Sequence, residues 1–248
     1  MNRSSLCRFG ILAIMVLLAS PYPGTGQTIN EILARHESAT GYGYRKQVKT
    51  LTSIGTISQM GNTLPISIIQ KRPNKYRFDV HLDDGRITQA YDGKVGWSFN
   101  PFSADDTLLL EGPELAQIRE SADFDGILHS FRQKSVSAQL IGKIQSGSQE
   151  SWKIQIKRAT GEVMNFYIDS KTYLVVKSDV ALLVNRMPYV AESVFGDFRK
   201  VGGMILPYYI QSRNGAMLTE TRIDTVRINE TMEDYYFQWK RYWSAVRN

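Results

Sequence analysis

Three pairs of carboxylates stand out in the chain: Asp83-Asp84, Asp105-Asp106 and Asp123 with Asp125. Paired carboxylates perform acid–base chemistry only at a fixed separation, which sequence spacing does not set. Two of the pairs sit in turn or loop contexts, where aspartate caps backbone N–H groups, and capping is the reading these pairs favour. The histidines His36, His81 and His129 lie far apart, with no spacing that would place two of them on one metal. The single cysteine, Cys7, excludes an intramolecular disulfide and a cysteine-based zinc site. No G-x-S-x-G elbow, H-E-x-x-H pair or phosphate-cradling glycine loop occurs. The Asn229-Glu230-Thr231 sequon is short enough to arise by chance. No catalytic residue, cofactor or metal is expected, and the chain does not read as an enzyme.

What would position such residues follows from composition. The 248 residues are 42% hydrophobic and 22% charged, which describes one globular domain large enough to bury a core without a staple. A formal charge of +6 is too mild for a nucleic-acid binder. Residues 1–26 read as a secretory signal peptide: Arg3 and Arg8 precede an apolar run from Ile11 to Ala19, and Gly24 and Gly26 suit a cleavage site. That run covers about half of the ~20 residues that span a bilayer. Cys7 lies before it and leaves with the leader. The expected product is residues 27–248, exported to the periplasm and soluble.

The exported chain opens with a helix. Thr28 and Glu31 form a capping box, Ile29, Ile32, Leu33 and Ala39 share a face, and Gly41 is a natural stop. Strands then alternate with short turns: Thr50–Gln59, Leu64–Lys71, Lys75–Leu82, Arg86–Tyr91 and Lys94–Asn100. Ser103 to Leu110 reads as a loop, Pro113 to Glu120 as a helix, and Phe124, Ile127, Leu128 and Phe131 recur at helical spacing. Strands resume from Val136 and continue to Ile228. The turns are too short for parallel crossovers. The expected fold is α+β: a single curled antiparallel sheet of about 11–12 strands, an incomplete barrel, with helices covering its concave apolar face.

Two hairpins carry most of the information. Lys71-Arg72-Pro73-Asn74, followed by Tyr76, is a strand–turn–strand in which Pro73 belongs between strands. Asp92-Gly93-Lys94, then Trp97, then Asn100-Pro101-Phe102, is a turn, a half-buried strand and an exit into a loop. In this order and spacing they resemble the periplasmic outer-membrane lipoprotein carrier family, LolA. The likeness is specific in the N-terminal third of residues 27–248 and elsewhere extends only to the strand pattern.

The resemblance implies a sheet lined with apolar side chains, closed by helices, that shelters the acyl chains of a lipoprotein or lipid between the inner and outer membranes. Arg72 corresponds to an arginine that bonds the lid backbone, Tyr76 to a residue facing the cavity region, and Trp97 and Phe102 to aromatics near the loop leading to the lid. The implied partners are an acylated cargo, an inner-membrane release complex and an outer-membrane acceptor, with the carrier a monomer. The segment from Gly196 to Pro207 and the aromatic, basic tail from Tyr235 to Asn248 have no counterpart in that pattern. Packing over the sheet is the favoured reading of the tail, membrane docking the rival. A different class of function remains open: an envelope sensor whose lipid-binding domain of the same fold engages a membrane signalling partner.

Overall fold

The computed structural model describes residues 27–130, 136–159, 161–184 and 187–239. The leader read in residues 1–26, Phe131 and the end of the tail from residue 240 lie outside them. Helices α1 (Ile29–Thr40) and α2 (Tyr42–Arg45) come first. Six strands follow: β1 (Thr50–Gln59), β2 (Asn62–Lys71), β3 (Lys75–Leu82), β4 (Gly85–Tyr91), β5 (Gly96–Phe99) and β6 (Thr107–Leu109). After α3 (Gly112–Ser121) and α4 (Ile127–Ser130) come β7 (Ser137–Ser146), β8 (Gln149–Lys157), β9 (Val163–Asp169), β10 (Val175–Val184), β11 (Met187–Val201), β12 (Met204–Asn214) and β13 (Met217–Ile228). A 3-10 turn spans Asp234–Phe237.

Among the described residues, thirteen antiparallel strands form one open sheet in the order β6-β5-β4-β3-β2-β1-β13-β12-β11-β10-β9-β8-β7. The count exceeds the expected 11–12 because β6 forms within the segment read as a loop. Phe99 pairs with Thr107 and Trp97 with Leu109, so a three-residue edge strand finds ladder partners in an otherwise polar stretch. Conversely, Lys94 is not strand. The Asp92 carboxylate accepts from the N–H of Lys94 and of Val95, which holds them in the turn.

The strand order explains the cover. Strands β6 and β7 are the two free edges. The helices α3 and α4 stand between them in sequence. The cover is therefore a strap joining the edges of a sheet that does not close into a barrel. Beneath it, Ile32 and Leu33 of α1 and Ile127 and Leu128 of α4 pack on Trp152, Ile154, Ile156 and Ile168. A second cluster joins Phe124 to Val48, Leu51 and Met204, and a third joins Ile118 of α3 and its C-cap Ala122 to Tyr91 and Leu110.

Helix α1 ends where the sequence stops it: Thr28 and Glu31 cap each other's backbone, and Gly41 takes the left-handed conformation (φ 71°). A Cβ on Gly41 would stand 1.9 Å from the Gly203 carbonyl oxygen, so the α1–α2 junction rests directly on the β11–β12 turn.

Candidate functional site

A cavity of about 320 Å³ lies between the helices and the concave face. Its apolar walls are Ile127 and Leu128 from α4, Phe166 from β9, Val175 from β10, Phe195 and Phe198 from β11 and Leu206 from β12. Asp197 holds a positive φ (48°) between the two phenylalanines, and both rings line the same space. The size is at the low end of the ~300–1,000 Å³ of ligand pockets.

One end of the cavity is polar, formed by His36, Thr40, Arg45, Asp125 and His129. The His129 ring stacks on Tyr42, centroids 4.0 Å apart, and on His36 at 5.1 Å. Burial, with the charge of His36 and then of Arg45 adding to it, pushes the His129 imidazole down to about 3. His36 is also lowered by burial, partly offset by its 2.8 Å bond with the Tyr173 carbonyl. Both rings are thus neutral at physiological pH.

Around this end run the bonds that hold the strap down. The Arg72 guanidinium donates to both oxygens of Asp125, at 2.8 and 2.5 Å. It also donates to the carbonyls of Val48 and Arg45, at 2.8 and 3.1 Å. Asp125 sits in the α3–α4 connection, so this fork ties the strap to the β2–β3 turn. The Arg72 hydrogen bonds hold the Asp125 carboxyl below its usual range. Arg45 donates through Nε and Nη2 to the Phe124 carbonyl, at 2.8 and 2.6 Å. At the C-terminal end of α3, next to this connection, Gln70 donates to the Ser121 carbonyl and Arg158 pairs with Glu120. Asp125, one of the paired carboxylates that stood out in the sequence, is the anionic half of an ion pair.

The other motif residues lie elsewhere. Tyr76 packs beneath α3 with Tyr91, Leu110, Ile118 and Ala122, where burial pushes its phenol up to about 12. The Asn74 amide donates weakly to the Gly93 carbonyl, at 3.5 Å. Lys71 pairs with Asp234 and reaches the Met232 carbonyl. The Arg72–Pro73 bond is cis. Trp97, 1% exposed, faces the outer side of the sheet with Ala90 and Phe99, and its indole N–H donates to the Phe237 carbonyl. Phe102 is 72% exposed, and its N–H is held by the Asn100 side chain just past Pro101. None of Tyr76, Trp97 or Phe102 lines the cavity; Arg72 adjoins it through Asp125.

Outside the cavity, the tail is packed over the outer face as far as Trp239. The Tyr236 carbonyl accepts from Arg77, which is itself buried in a two-bond fork with Asp79, and Phe237 is fully buried. The Asn229 side chain of the sequon accepts from the Lys49 N–H, a structural contact.

Sequence reasoning missed Arg45, His36 and His129, and the phenylalanines of β9 and β11. Only the periodicity of Ile127 and Leu128 pointed at this wall. Among the described residues there is no group of three or more potential metal ligands and no helix long and apolar enough to cross a membrane.

No family model and no curated protein matches the sequence. Among solved structures, the chain is similar to a LolA superfamily protein, NE2245, from Nitrosomonas europaea, with a TM-score of 0.60 and 10% identity over 87% of this chain and 100% of that one. It is similar to a putative outer membrane lipoprotein-sorting protein domain from Vibrio parahaemolyticus, with a TM-score of 0.56 and 8% identity over 84% and 98%. A DUF1329 family protein from Desulfovibrio piger gives a TM-score of 0.53 and 13% identity over 85% and 98%. At these identities the likeness is one of architecture, and the chain has the LolA-like fold in divergent form.

Proposed function

We propose that this protein is a periplasmic carrier that shelters an acyl chain of a lipid or lipoprotein beneath its helical strap and releases it to a membrane acceptor. The observation that carries this reading is the apolar cavity between α4 and strands β9 to β12, beneath a strap tied down at its polar end by hydrogen bonds and an ion pair. Each buried methylene is worth ~0.8 kcal/mol against water, so shelter needs no covalent chemistry. A strap whose charge-assisted ties contribute about 1.5–3 kcal/mol each can yield when a chain of several methylenes arrives. The leader-like residues 1–26 support export, and the fold shared with a lipoprotein-sorting domain supports the kind of cargo. Binding, not catalysis, is the role this arrangement suits.

The test is to purify the exported protein under mild conditions, extract it, and identify bound lipids by mass spectrometry. It is then incubated with spheroplasts to learn whether acylated lipoproteins enter solution with it. Acyl species recovered intact, and handed on to acceptor membranes, are expected. Binding without hand-over would turn the reading towards a sensor. Neither acyl species nor lipoprotein would end it.

A further inference from the structure

We infer that the polar end of the cavity is a headgroup site for a carboxylate, so that the preferred ligand is a single-chain fatty acid; this rests on the acyl-chain reading above. Arg45 is the centre of the site. Its side chain is half-buried, yet Nε and Nη2 both serve one neutral acceptor, the Phe124 carbonyl, and among the described residues no carboxylate lies within ion-pair distance of it. A guanidinium has five N–H donors, and a desolvated cation without an anionic partner is costly. Burial is indeed the largest influence on Arg45, and it disfavours the charged form.

The nearest anion, Asp125, is committed to Arg72 through both of its oxygens. Beside Arg45 on the cavity wall stands His129, whose side chain is 9% exposed. Its Nδ1 is buried with no hydrogen-bond partner among the described residues, 3.8 Å from a Glu37 oxygen. A cation without a direct ion pair and an imidazole nitrogen short of a partner thus share the polar end of an otherwise apolar space.

The charge count limits the ligand. Asp123 and Asp125 both act on Arg45 electrostatically, so the site tolerates one added negative charge better than two. That favours a carboxylate over a phosphate. The volume limits it as well: 320 Å³ holds on the order of ten methylene-sized groups, taking the ~30 Å³ of a water molecule in the liquid. One chain fits; several do not. In this arrangement the carboxylate meets the Arg45 guanidinium and the tail runs along Phe166, Phe195 and Leu206.

The test compares dodecanoate with dodecanol, equal in chain length, by calorimetry on delipidated protein at neutral pH. Dodecanoate should bind about tenfold tighter or better, equivalent to ~1.4 kcal/mol. Arg45→Gln, which can still donate to the Phe124 carbonyl, should bring the two affinities together. Arg45→Lys should keep the preference. Equal affinities in the unmodified protein overturn the headgroup site but leave the acyl-chain reading standing. Failure of both ligands to bind overturns both. If Arg45→Gln does not fold, the comparison in the unmodified protein still decides.

Discussion

The clasp between Arg72 and Asp125 is a single residue pair with consequences for the whole cover. Each side chain is about a quarter exposed, so the pair is neither a free surface bridge nor a deeply buried one. Arg72→Leu removes four hydrogen bonds and leaves Asp125 without its partner. Hydrogen bonds to charged groups contribute about 1.5–3 kcal/mol each when intact, and solvent screening brings the expected loss to the low end of one such bond. Denaturant unfolding should show a decrease of roughly 2 kcal/mol, and hydrogen exchange should speed up in α3 and α4 before it does in β1 or β13. Exchange unchanged in the helices would mean that Arg72 serves only its own turn. The position of Arg72 was legible because its turn motif is local. Its partner was not, because Asp125 is 53 positions away and nothing in the intervening sequence marks the pair.

His129 makes the cover sensitive to acid at the same scale. A histidine held neutral at about 3 in the folded protein but titrating near ~6.5 when unfolded takes up its proton preferentially in the unfolded state. Stability from this group is therefore intact above pH ~6.5 and falls as pH drops from there towards 3, by up to ~1.4 kcal/mol per pH unit. His36 acts in the same direction, and Asp125 joins below its own unfolded value near ~3.9. Melting temperature should decline steadily between pH 6.5 and 4.5, and His129→Phe, which keeps the stack with Tyr42, should flatten that decline. An equal slope in the variant would place the acid sensitivity elsewhere. Sequence spacing hid this stack, since His36 and His129 meet only once α1 and α4 are laid side by side.

Among elements, the strands were the most legible and the helical junction the least. Turns such as Asn214-Gly215 and Gly202-Gly203 announce hairpins locally, and β1, β3 and β13 begin and end where the turn residues put them. The docking of the α1–α2 junction on the β11–β12 turn has no such local mark. It depends on two glycines that are distant in sequence: the Cβ of an alanine at Gly41 would meet the Gly203 carbonyl, and one at Gly203 would stand 2.5 Å from the Tyr44 ring. Gly203→Ala should therefore displace Tyr44, costing about 1–3 kcal/mol as an overpacked contact does. Tyr44→Ala in the same chain should restore part of the loss, read by thermal denaturation of the single and double variants. Independent, additive losses would show that the two do not share this contact. Strand β6 was missed for a related reason: three residues of ladder are decided by the neighbour β5, not by their own pattern.

Across the whole molecule, the strap and the small cavity make opposite demands on a cargo. A cavity of about 320 Å³ is filled by a short chain, whereas the strap is attached at both edges of the open sheet and can be lifted without breaking a strand pair. Affinity along a series from octanol to hexadecanol separates the two limits. Each added methylene that finds apolar lining should improve binding about fourfold, from ~0.8 kcal/mol of transfer free energy. If the strap stays shut, the gain should stop once the cavity is full, on the order of ten carbons by the volume of a water molecule. With Arg72→Leu the strap is freed at its central tie, and the gain should continue to longer chains. A plateau at the same length in both proteins would show that the cover does not move to admit cargo, and would confine the carrier to ligands that fit the cavity as it stands.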